Sequence, residues 1–188
     1  PGSEIIFDVK CTRNLSKSIE NAGGFATMWR TGHSFIKAKL KQSGAALAGE
    51  MSGHIFFQDR WYGFDDAIYA GARLCELISI HQESAKHIFR SIPNTINTPE
   101  LRLEMEEGAH HQLIDKLKES AKFDVGAISH LDGIRIDYPD GFGLARASNT
   151  TPTIIFRFEA DNKEALYRIQ NDFRKNISML ISDKHLPF

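Results

Sequence analysis

Short apolar runs alternate with helical patterns through the first half of the chain. A mixed apolar and basic pattern over 33–44 predicts a short amphipathic helix closed by a glycine. From Asp65, a candidate N-cap, apolar residues keep helical spacing to about Ser79, and a second helix is predicted near Glu83–Phe89. Alternation of strands and helices favours a mostly parallel, mixed α/β sheet covered on both faces. The apolar runs that predict strands lie at 4–9, 25–29, 45–50 and 54–57.

The pattern changes after Ser91–Pro99, where two prolines and several turn-forming residues predict a linker. Beyond it, strands cluster between two amphipathic helices, which favours a smaller α+β domain with an antiparallel four-stranded sheet. We therefore predict an α/β domain over 1–92 and an α+β domain over 93–188. The later strands are predicted at 101–106, within 127–148 with Asp–Gly turns at 132–133 and 140–141, and at 153–161, and the helices at 110–123 and 162–181.

Composition narrows the classes of function. The 188 residues carry 23 Lys+Arg against 24 Asp+Glu. The net charge of −1 therefore gives no excess of positive charge that would indicate binding to nucleic acid or an anionic membrane. No apolar run approaches the ~20 residues that cross a bilayer, and the first residues lack the pattern of a secretory signal. Cys11 and Cys75 are expected to be free, buried thiols. A cytoplasmic protein is expected.

The loop Gly49–His54 is more polar than its position between two apolar runs would suggest. Strand alternation would place Glu50, Ser52 and His54 on one side, at a strand end, where ligands of α/β sheets bind. A carboxylate there can accept hydrogen bonds from two vicinal sugar hydroxyls. The alternative is a turn whose polar groups satisfy the local backbone, and the motif alone does not decide between them.

A second polar loop, Arg146–Pro152, lies between two later strands. It combines a guanidinium with Ser148, Asn149, Thr150 and Thr151. Such a loop can surround an anion with hydroxyl and backbone N–H donors while the arginine binds two phosphate oxygens. The spacing of nucleotide-binding P-loops is missing, so ATP binding is not indicated. An ordinary hairpin loop with one solvated arginine is the alternative.

Further polar residues follow the first two strands. Lys10 comes after 4–9, and Thr31, Gly32 and His33 come after 25–29, just before a helix begins. A helix N-terminus favours anions, and a histidine there can titrate near neutral pH. Together with the 49–54 loop these residues predict a site at one edge of the sheet. No spacing typical of a metal site or a serine hydrolase supports either of those chemistries.

Five segments together resemble the α-D-phosphohexomutase family, and within it the bacterial phosphomannomutase/phosphoglucomutase enzymes. They occur in family order and span nearly the whole chain, but they correspond only to the third and fourth domains of such an enzyme. The segments are FDVKCTR (7–13), TGHS (31–34), GEMSGH (49–54), GFDDAIYAGARL (63–74) and RASNTTP (146–152).

The resemblance implies a role for each motif residue. Glu50 and Ser52 would bind the hydroxyls that glucose and mannose share, and His54 would orient that loop or contact the substrate. Lys10 and His33 would face the reacting end as charge stabiliser and acid or base, with Thr31 and Gly32 beside them; which of the two is the acid stays open. Residues implied to bind the phosphate that is not transferred are Arg146, Ser148, Asn149, Thr150 and Thr151.

The resemblance also implies partners that this sequence does not supply. The family works with a phosphoserine, a bound Mg²⁺ and a glucose 1,6-bisphosphate-type intermediate, but the serine and metal loops typical of it do not occur here. We therefore expect no metal site in this chain, two missing N-terminal domains, a hexose phosphate substrate, and no mutase activity for these residues alone. A hinge within Ser91–Pro99 is expected to close on the ligand. The alternative is a free-standing sugar-phosphate or anion-binding module.

Overall fold

The structure is a computed structural model of the chain that describes residues 1–182 and 186–188. It divides into two compact units, Pro1–Asn94 and Thr95–Phe188. Each unit has its own sheet and its own apolar core. No helix among these described residues is long and apolar enough to cross a membrane.

The first unit is built on a four-stranded sheet in the order β2-β1-β3-β4. The strand β1 is central because it pairs in parallel with both β2 and β3, whereas β4 turns back and runs antiparallel to β3. The strands are β1 (Glu4–Asp8), β2 (Phe25–Trp29), β3 (Leu47–Gly49) and β4 (Ile55–Phe57), and the helices are α1 (Arg13–Asn21), α2 (His33–Ser43), α3 (Ala67–His81) and α4 (Ala85–Arg90).

Local signals explain where the helices of this unit begin and end. The Thr12 hydroxyl accepts a hydrogen bond from the Asn14 N–H at the start of α1, and α2 ends at Gly44, whose φ of 73° is the left-handed conformation that glycine adopts readily. The α3 helix is capped by Asp66, which accepts from the Tyr69 N–H, one residue later than the predicted Asp65. A small core lies between α2 and the sheet, formed by Ile6, Ile36, Leu40, Ala45, Ala48 and Phe56.

The second unit is an antiparallel sheet against which two helices pack. The strand order is β5-β10-β9-β8-β7. The strands β5 and β6 share one edge of β10: β5 pairs with its last residues and β6 with its first four. The α5 and α6 helices bury their apolar residues against this sheet, with Ile169, Phe173 and Ile177 of α6 almost wholly enclosed. The elements are β5 (Ile96–Asn97), β6 (Leu101–Glu104), α5 (Ala109–Ser120), β7 (Ala127–Ser129), β8 (Ile134–Tyr138), β9 (Gly141–Ala147), β10 (Thr153–Ala160) and α6 (Lys163–Ser178).

The predicted fold class, a mixed α/β domain followed by an antiparallel α+β domain, is confirmed, but several details differ. The second sheet has six strands instead of four, because the short β5 and β7 add to its edges. Arg146 lies within β9 and not in the loop that follows it. Cys11 is buried as expected, whereas the free thiol of Cys75 is exposed on α3.

Candidate functional site

Parallel pairing brings the polar residues of the first unit together. The strands β1, β2 and β3 end at one edge of the sheet, so the residues that follow them are neighbours. Asp8, the last residue of β1, is fully buried there. Its carboxylate accepts hydrogen bonds from the Thr31 hydroxyl at 3.1 Å, the Met51 N–H at 3.2 Å and the Cys11 thiol at 3.1 Å. Asp8 therefore joins the segments after all three strands.

The charge of Asp8 is matched by Lys10. Its Nζ lies 3.8 Å from the Asp8 carboxylate, and its side chain is itself almost completely buried. A buried ammonium requires such a carboxylate, since an uncompensated charge inside a protein is strongly unfavourable. Lys10, predicted from its position after a strand, is thus fixed at the edge of the sheet by the carboxylate that ends the same strand.

Glu50 connects the 49–54 loop to the start of α2. Its Oε1 accepts a hydrogen bond from the Gly32 N–H at 2.5 Å, at the helix N-terminus, where a carboxylate is favourable. No described residue forms a hydrogen bond with its Oε2. The loop itself is a tight hairpin turn, in which the Gly53 N–H donates to the Glu50 carbonyl at 3.0 Å and Gly53 has a φ of 95°. Ser52 is exposed on this turn, so the alternation expected for 50–54 does not apply.

The two histidines of the predicted site are neighbours. The rings of His33 and His54 have centroids 6.0 Å apart, with His33 exposed at the start of α2 and His54 half-buried before β4. Nδ1 of His54 forms a short hydrogen bond with the Asp65 carboxylate, which also accepts from the Ile55 N–H at 3.4 Å. Asp65 therefore orients His54 instead of capping α3, so Nε2 of His54 is left to face other groups.

The second unit presents a buried guanidinium. Arg146 is only 2% exposed, and its Nε donates to the Asp132 carboxylate at 3.0 Å. Its Nη2 is buried and has no hydrogen-bond partner among the described residues. The loop that carries Asp132 can approach β9 only because residue 133 is glycine: a Cβ there would lie 2.3 Å from the Ala145 oxygen and 2.7 Å from the Arg146 Cα. Buried donors without partners are rare, and a ligand is one physical reason for them.

The hydroxyl loop follows directly after the arginine strand. Ser148 lies two residues beyond Arg146, and alternation along an extended strand places both side chains on one face. Its Oγ accepts from the Thr150 and Thr151 N–H groups, both at 3.3 Å, and from the Thr151 hydroxyl at 3.1 Å. The two N–H groups therefore close the loop internally, while the side chains of Asn149, Thr150 and Thr151 are exposed. This differs from the expected arrangement, in which backbone N–H groups face the anion.

The structure brings most of the predicted residues together within their own units. Lys10, Thr31, Gly32, Glu50 and the two histidines form one connected group in the first unit. Sequence reasoning missed the carboxylates that orient them, Asp8, Asp65 and Asp132. Asp8 carried a usable signal, because a charge enclosed between the apolar residues Phe7 and Val9 needs a buried partner.

Within the described part of the chain, no group of three or more His, Cys, Asp or Glu side chains is arranged to hold a metal ion. The chemistry of the two groups of polar residues is instead that of hydrogen bonding and anion binding. The first unit offers a carboxylate oxygen, two imidazoles and an ammonium, and the second offers a guanidinium beside hydroxyls. These donor sets suit a polyhydroxylated ligand and an oxyanion, respectively.

Family models match both units. Residues 1–96 match phosphoglucomutase/phosphomannomutase, alpha/beta/alpha domain III, and residues 100–176 match the phosphoglucomutase/phosphomannomutase C-terminal domain. Together they cover most of the chain, and the boundary between them, at 96–100, lies close to the division between the two units.

Individual relatives give the same family. A phosphomannomutase/phosphoglucomutase of Pseudomonas aeruginosa is 50% identical over 188 residues, which are 100% of this chain and 41% of the relative. A phosphoglucomutase of Neisseria meningitidis is 52% identical over 176 residues, 93% of this chain and 38% of the relative. A solved phosphoglucomutase/phosphomannomutase family structure from Burkholderia thailandensis matches with a TM-score of 0.91 and 52% identity, covering 100% of this chain and 40% of that one. The chain thus spans about two-fifths of the length of these relatives.

Proposed function

The chain belongs to the phosphoglucomutase/phosphomannomutase family, as its domain III and C-terminal domain, and from this we propose that the full-length protein interconverts hexose 1-phosphates and hexose 6-phosphates of mannose and glucose. In this proposal the second unit binds the phosphate that is not transferred, and the first unit binds the sugar. The observation that carries it is the buried Nη2 of Arg146, which lacks a partner beside a loop of hydroxyl groups.

The arginine is well suited to a phosphate. Asp132 occupies Nε on one side of the guanidinium, so the plane is fixed and Nη2 is left to donate to an incoming oxygen. The exposed side chains of Asn149, Thr150 and Thr151 can add hydrogen bonds to the remaining oxygens. Because the Arg146 guanidinium is already held in place, it can bind an oxyanion without first being ordered itself.

The first unit is suited to the sugar. Oε1 of Glu50 is engaged by the Gly32 N–H, and Oε2 is left to accept from a hydroxyl. Ser52 lies exposed on the same turn and can hydrogen-bond an adjacent hydroxyl. In this proposal Glu50 and Ser52 do not contact the hydroxyl that distinguishes mannose from glucose, which supports the proposal that both sugars are substrates.

The reaction requires groups that we place outside this chain. A phosphoserine there would pass its phosphoryl group to a sugar hydroxyl, forming a hexose bisphosphate, and would regain a phosphoryl group from the other end of that intermediate. A bound Mg²⁺, with ligands also outside this chain, would supply charge neutralisation. Lys10 and His33 would then stabilise charge and move a proton at the reacting hydroxyl. We propose that the 188 residues alone bind the hexose phosphate but do not catalyse its conversion.

Replacing Arg146 tests the phosphate assignment. Arg146→Ala removes one or two charge-assisted hydrogen bonds, so inorganic phosphate titrated calorimetrically into the 188-residue chain should bind more weakly by about 2–3 kcal/mol, roughly 30- to 150-fold. Arg146→Lys keeps the charge but loses the planar donors, and an intermediate loss of roughly tenfold is expected. The control, Arg102→Ala, removes a guanidinium that is mostly exposed on β6 and should leave binding within about twofold.

The same variants in the full-length protein test the whole proposal. A coupled assay with glucose 1-phosphate or mannose 1-phosphate, Mg²⁺ and glucose 1,6-bisphosphate should show turnover, and Arg146→Ala should lower kcat/KM by a factor similar to the loss in phosphate affinity. Equal phosphate affinity in wild type and Arg146→Ala would contradict the assignment. Phosphate binding without any turnover by the full-length protein would favour the anion-binding module instead.

A further inference from the structure

The two carboxylate oxygens of Asp8 contact different parts of the candidate site. Oδ2 accepts a hydrogen bond from the Thr31 hydroxyl at 3.1 Å and lies 3.8 Å from Nζ of Lys10. Oδ1 accepts from the Met51 N–H at 3.2 Å and from the Cys11 thiol at 3.1 Å. Each oxygen is therefore shared by two groups, and the four groups come from three separate segments of the chain.

The backbone that Asp8 binds carries the residues proposed to bind the sugar. Met51 lies between Glu50 and Ser52, so the bond to its N–H fixes the turn from which both of those side chains extend. Thr31 precedes Gly32, whose N–H in turn donates to the Glu50 carboxylate. One carboxylate thus connects the sugar-binding turn to the ammonium proposed to act at the reacting end.

The contact between Asp8 and Lys10 depends on charge more than on a hydrogen bond. Their separation of 3.8 Å is longer than an N–H···O bond, whereas Nε of Arg146 lies 3.0 Å from Asp132. Asp8 is completely buried and Lys10 is 5% exposed, so little water surrounds the ammonium. A buried ammonium on a flexible stem needs a nearby negative charge, both to remain inside the protein and to stay in one place. A neutral acceptor at position 8 would therefore not replace the carboxylate.

We propose that Asp8 is a positioning residue of the phosphohexomutase reaction. Its charge holds the Lys10 ammonium at the reacting end, and its hydrogen bonds hold the sugar-binding turn in a fixed position relative to that ammonium. The inference rests on the proposed function and adds to it a residue that does not touch the substrate. Loss of the charge should lower kcat and leave KM almost unchanged, because Lys10 acts on charge that develops during transfer and the phosphate is bound by Arg146 in the second unit.

Asp8→Asn isolates the charge of this residue. The asparagine oxygen can still accept from the Met51 N–H and its amide can donate to the Thr31 oxygen, so the counter-charge of Lys10 is what is lost. In the full-length protein with glucose 1-phosphate, Mg²⁺ and glucose 1,6-bisphosphate, kcat should fall by on the order of 100-fold and KM should stay within about threefold. The matched control is Asp115→Asn, at an exposed carboxylate 3.3 Å from Lys118, and it should change neither constant by more than about twofold.

A double-mutant cycle shows whether Asp8 acts through Lys10. Lys10→Met replaces the ammonium by an apolar side chain of similar length, so adding Asp8→Asn to it should lower kcat by less than about threefold further. The double variant should also unfold at a higher urea concentration than Asp8→Asn, in which a buried ammonium lacks its counter-charge. A further loss of about 100-fold in the double variant would show that Asp8 acts independently of Lys10 and would overturn the proposal.

Chemical labelling measures the position of Lys10 without turnover. An N-hydroxysuccinimide ester should acylate Lys10 about ten times faster in Asp8→Asn than in the wild-type 188-residue chain, because the side chain is no longer held inside the protein. Mass spectrometry of the peptides measures the rates, and Lys37, exposed on α2, is the internal reference that should react equally in both. Equal labelling of Lys10 in the two proteins would overturn the proposal.

The kinetic assay separates failure of this inference from failure of the proposed function. Conversion of hexose phosphate by the wild-type full-length protein, with an unchanged kcat in Asp8→Asn, would overturn the role of Asp8 alone. A wild-type full-length protein that converts no hexose phosphate would contradict the proposed function, and the role of Asp8 in the reaction with it.

Discussion

Single carboxylates orient the cationic and imidazole side chains of both units. Asp8 lies beside Lys10, Asp65 bonds His54, and Asp132 bonds Arg146. In each case the carboxylate occupies one side of the group and fixes its plane or position, so the remaining donors have a defined direction. At the scale of the residue, we therefore expect these acids to contribute to ligand binding through the side chains that they orient.

Asp132 offers the sharpest test of this idea. Asp132→Ala leaves the buried Arg146 guanidinium without its partner, so stability should fall by about 3 kcal/mol and phosphate affinity by roughly tenfold. Asp132→Asn keeps an acceptor oxygen for Nε and should restore affinity to within about threefold of wild type. Calorimetric phosphate titration and urea unfolding of both variants measure the two effects. An Asp132→Asn variant as weak as Asp132→Ala would show that charge, and not orientation, is what Asp132 supplies.

At the scale of the element, the sequence pattern was a good guide to the strands and helices and a poor one to the turns. All four apolar runs of the first unit contain strands, because a continuous apolar run can be buried in an extended form wherever it lies. The 49–54 loop was different. Its strand-like alternation is overruled by Gly53, whose positive φ closes a tight turn and leaves Ser52 exposed.

The pairing of β1 with β2 predicts a pH dependence of stability. The Thr27 hydroxyl donates to Glu4 at 2.6 Å and is the main cause that lowers the pKa of this carboxyl below its ordinary value, followed by Ser43. A carboxyl whose pKa falls on folding stabilises the folded protein at pH values above its pKa in the unfolded chain. This stabilisation is lost as the pH falls through its pKa in the folded protein. Thr27→Val should therefore cost about 0.5 kcal/mol at pH 7, since the carboxylate is partly exposed, and almost nothing near pH 3.

Urea unfolding of wild type and Thr27→Val at pH 7, 5 and 3 measures this difference. Thr27→Ser, which retains the hydroxyl, is the matched control and should keep the pH dependence of the wild type. A difference between wild type and Thr27→Val that stayed constant across the pH range would show that Glu4 is not the group responsible.

At the scale of the whole molecule, the two units are folded around separate apolar cores. The division of labour proposed above, sugar to the first unit and phosphate to the second, makes a movement between them useful for catalysis. The hinge within Ser91–Pro99 stays a prediction. The only regular structure in that segment is the two-residue strand β5 (Ile96–Asn97), which pairs with β10.

Small-angle scattering of the full-length protein tests the hinge. Saturating glucose 1-phosphate should reduce the radius of gyration, because a ligand bound by both units favours a closed arrangement. Arg146→Ala, which weakens only the phosphate contact, should need a correspondingly higher ligand concentration for the same change. Identical curves with and without saturating ligand would count against the hinge.

The amino-acid pattern alone determined the class of each domain, the place of nearly every strand and helix, and the motifs that carry the family resemblance. These properties depend on the periodicity of apolar side chains and on short, contiguous segments. Only the tertiary structure decided that Asp132 bonds Arg146, that Asp65 bonds His54 instead of capping a helix, and that Glu50 binds the Gly32 N–H. Such contacts join residues 11 to 18 positions apart, and they form only when strand register and close glycine turns bring the segments together.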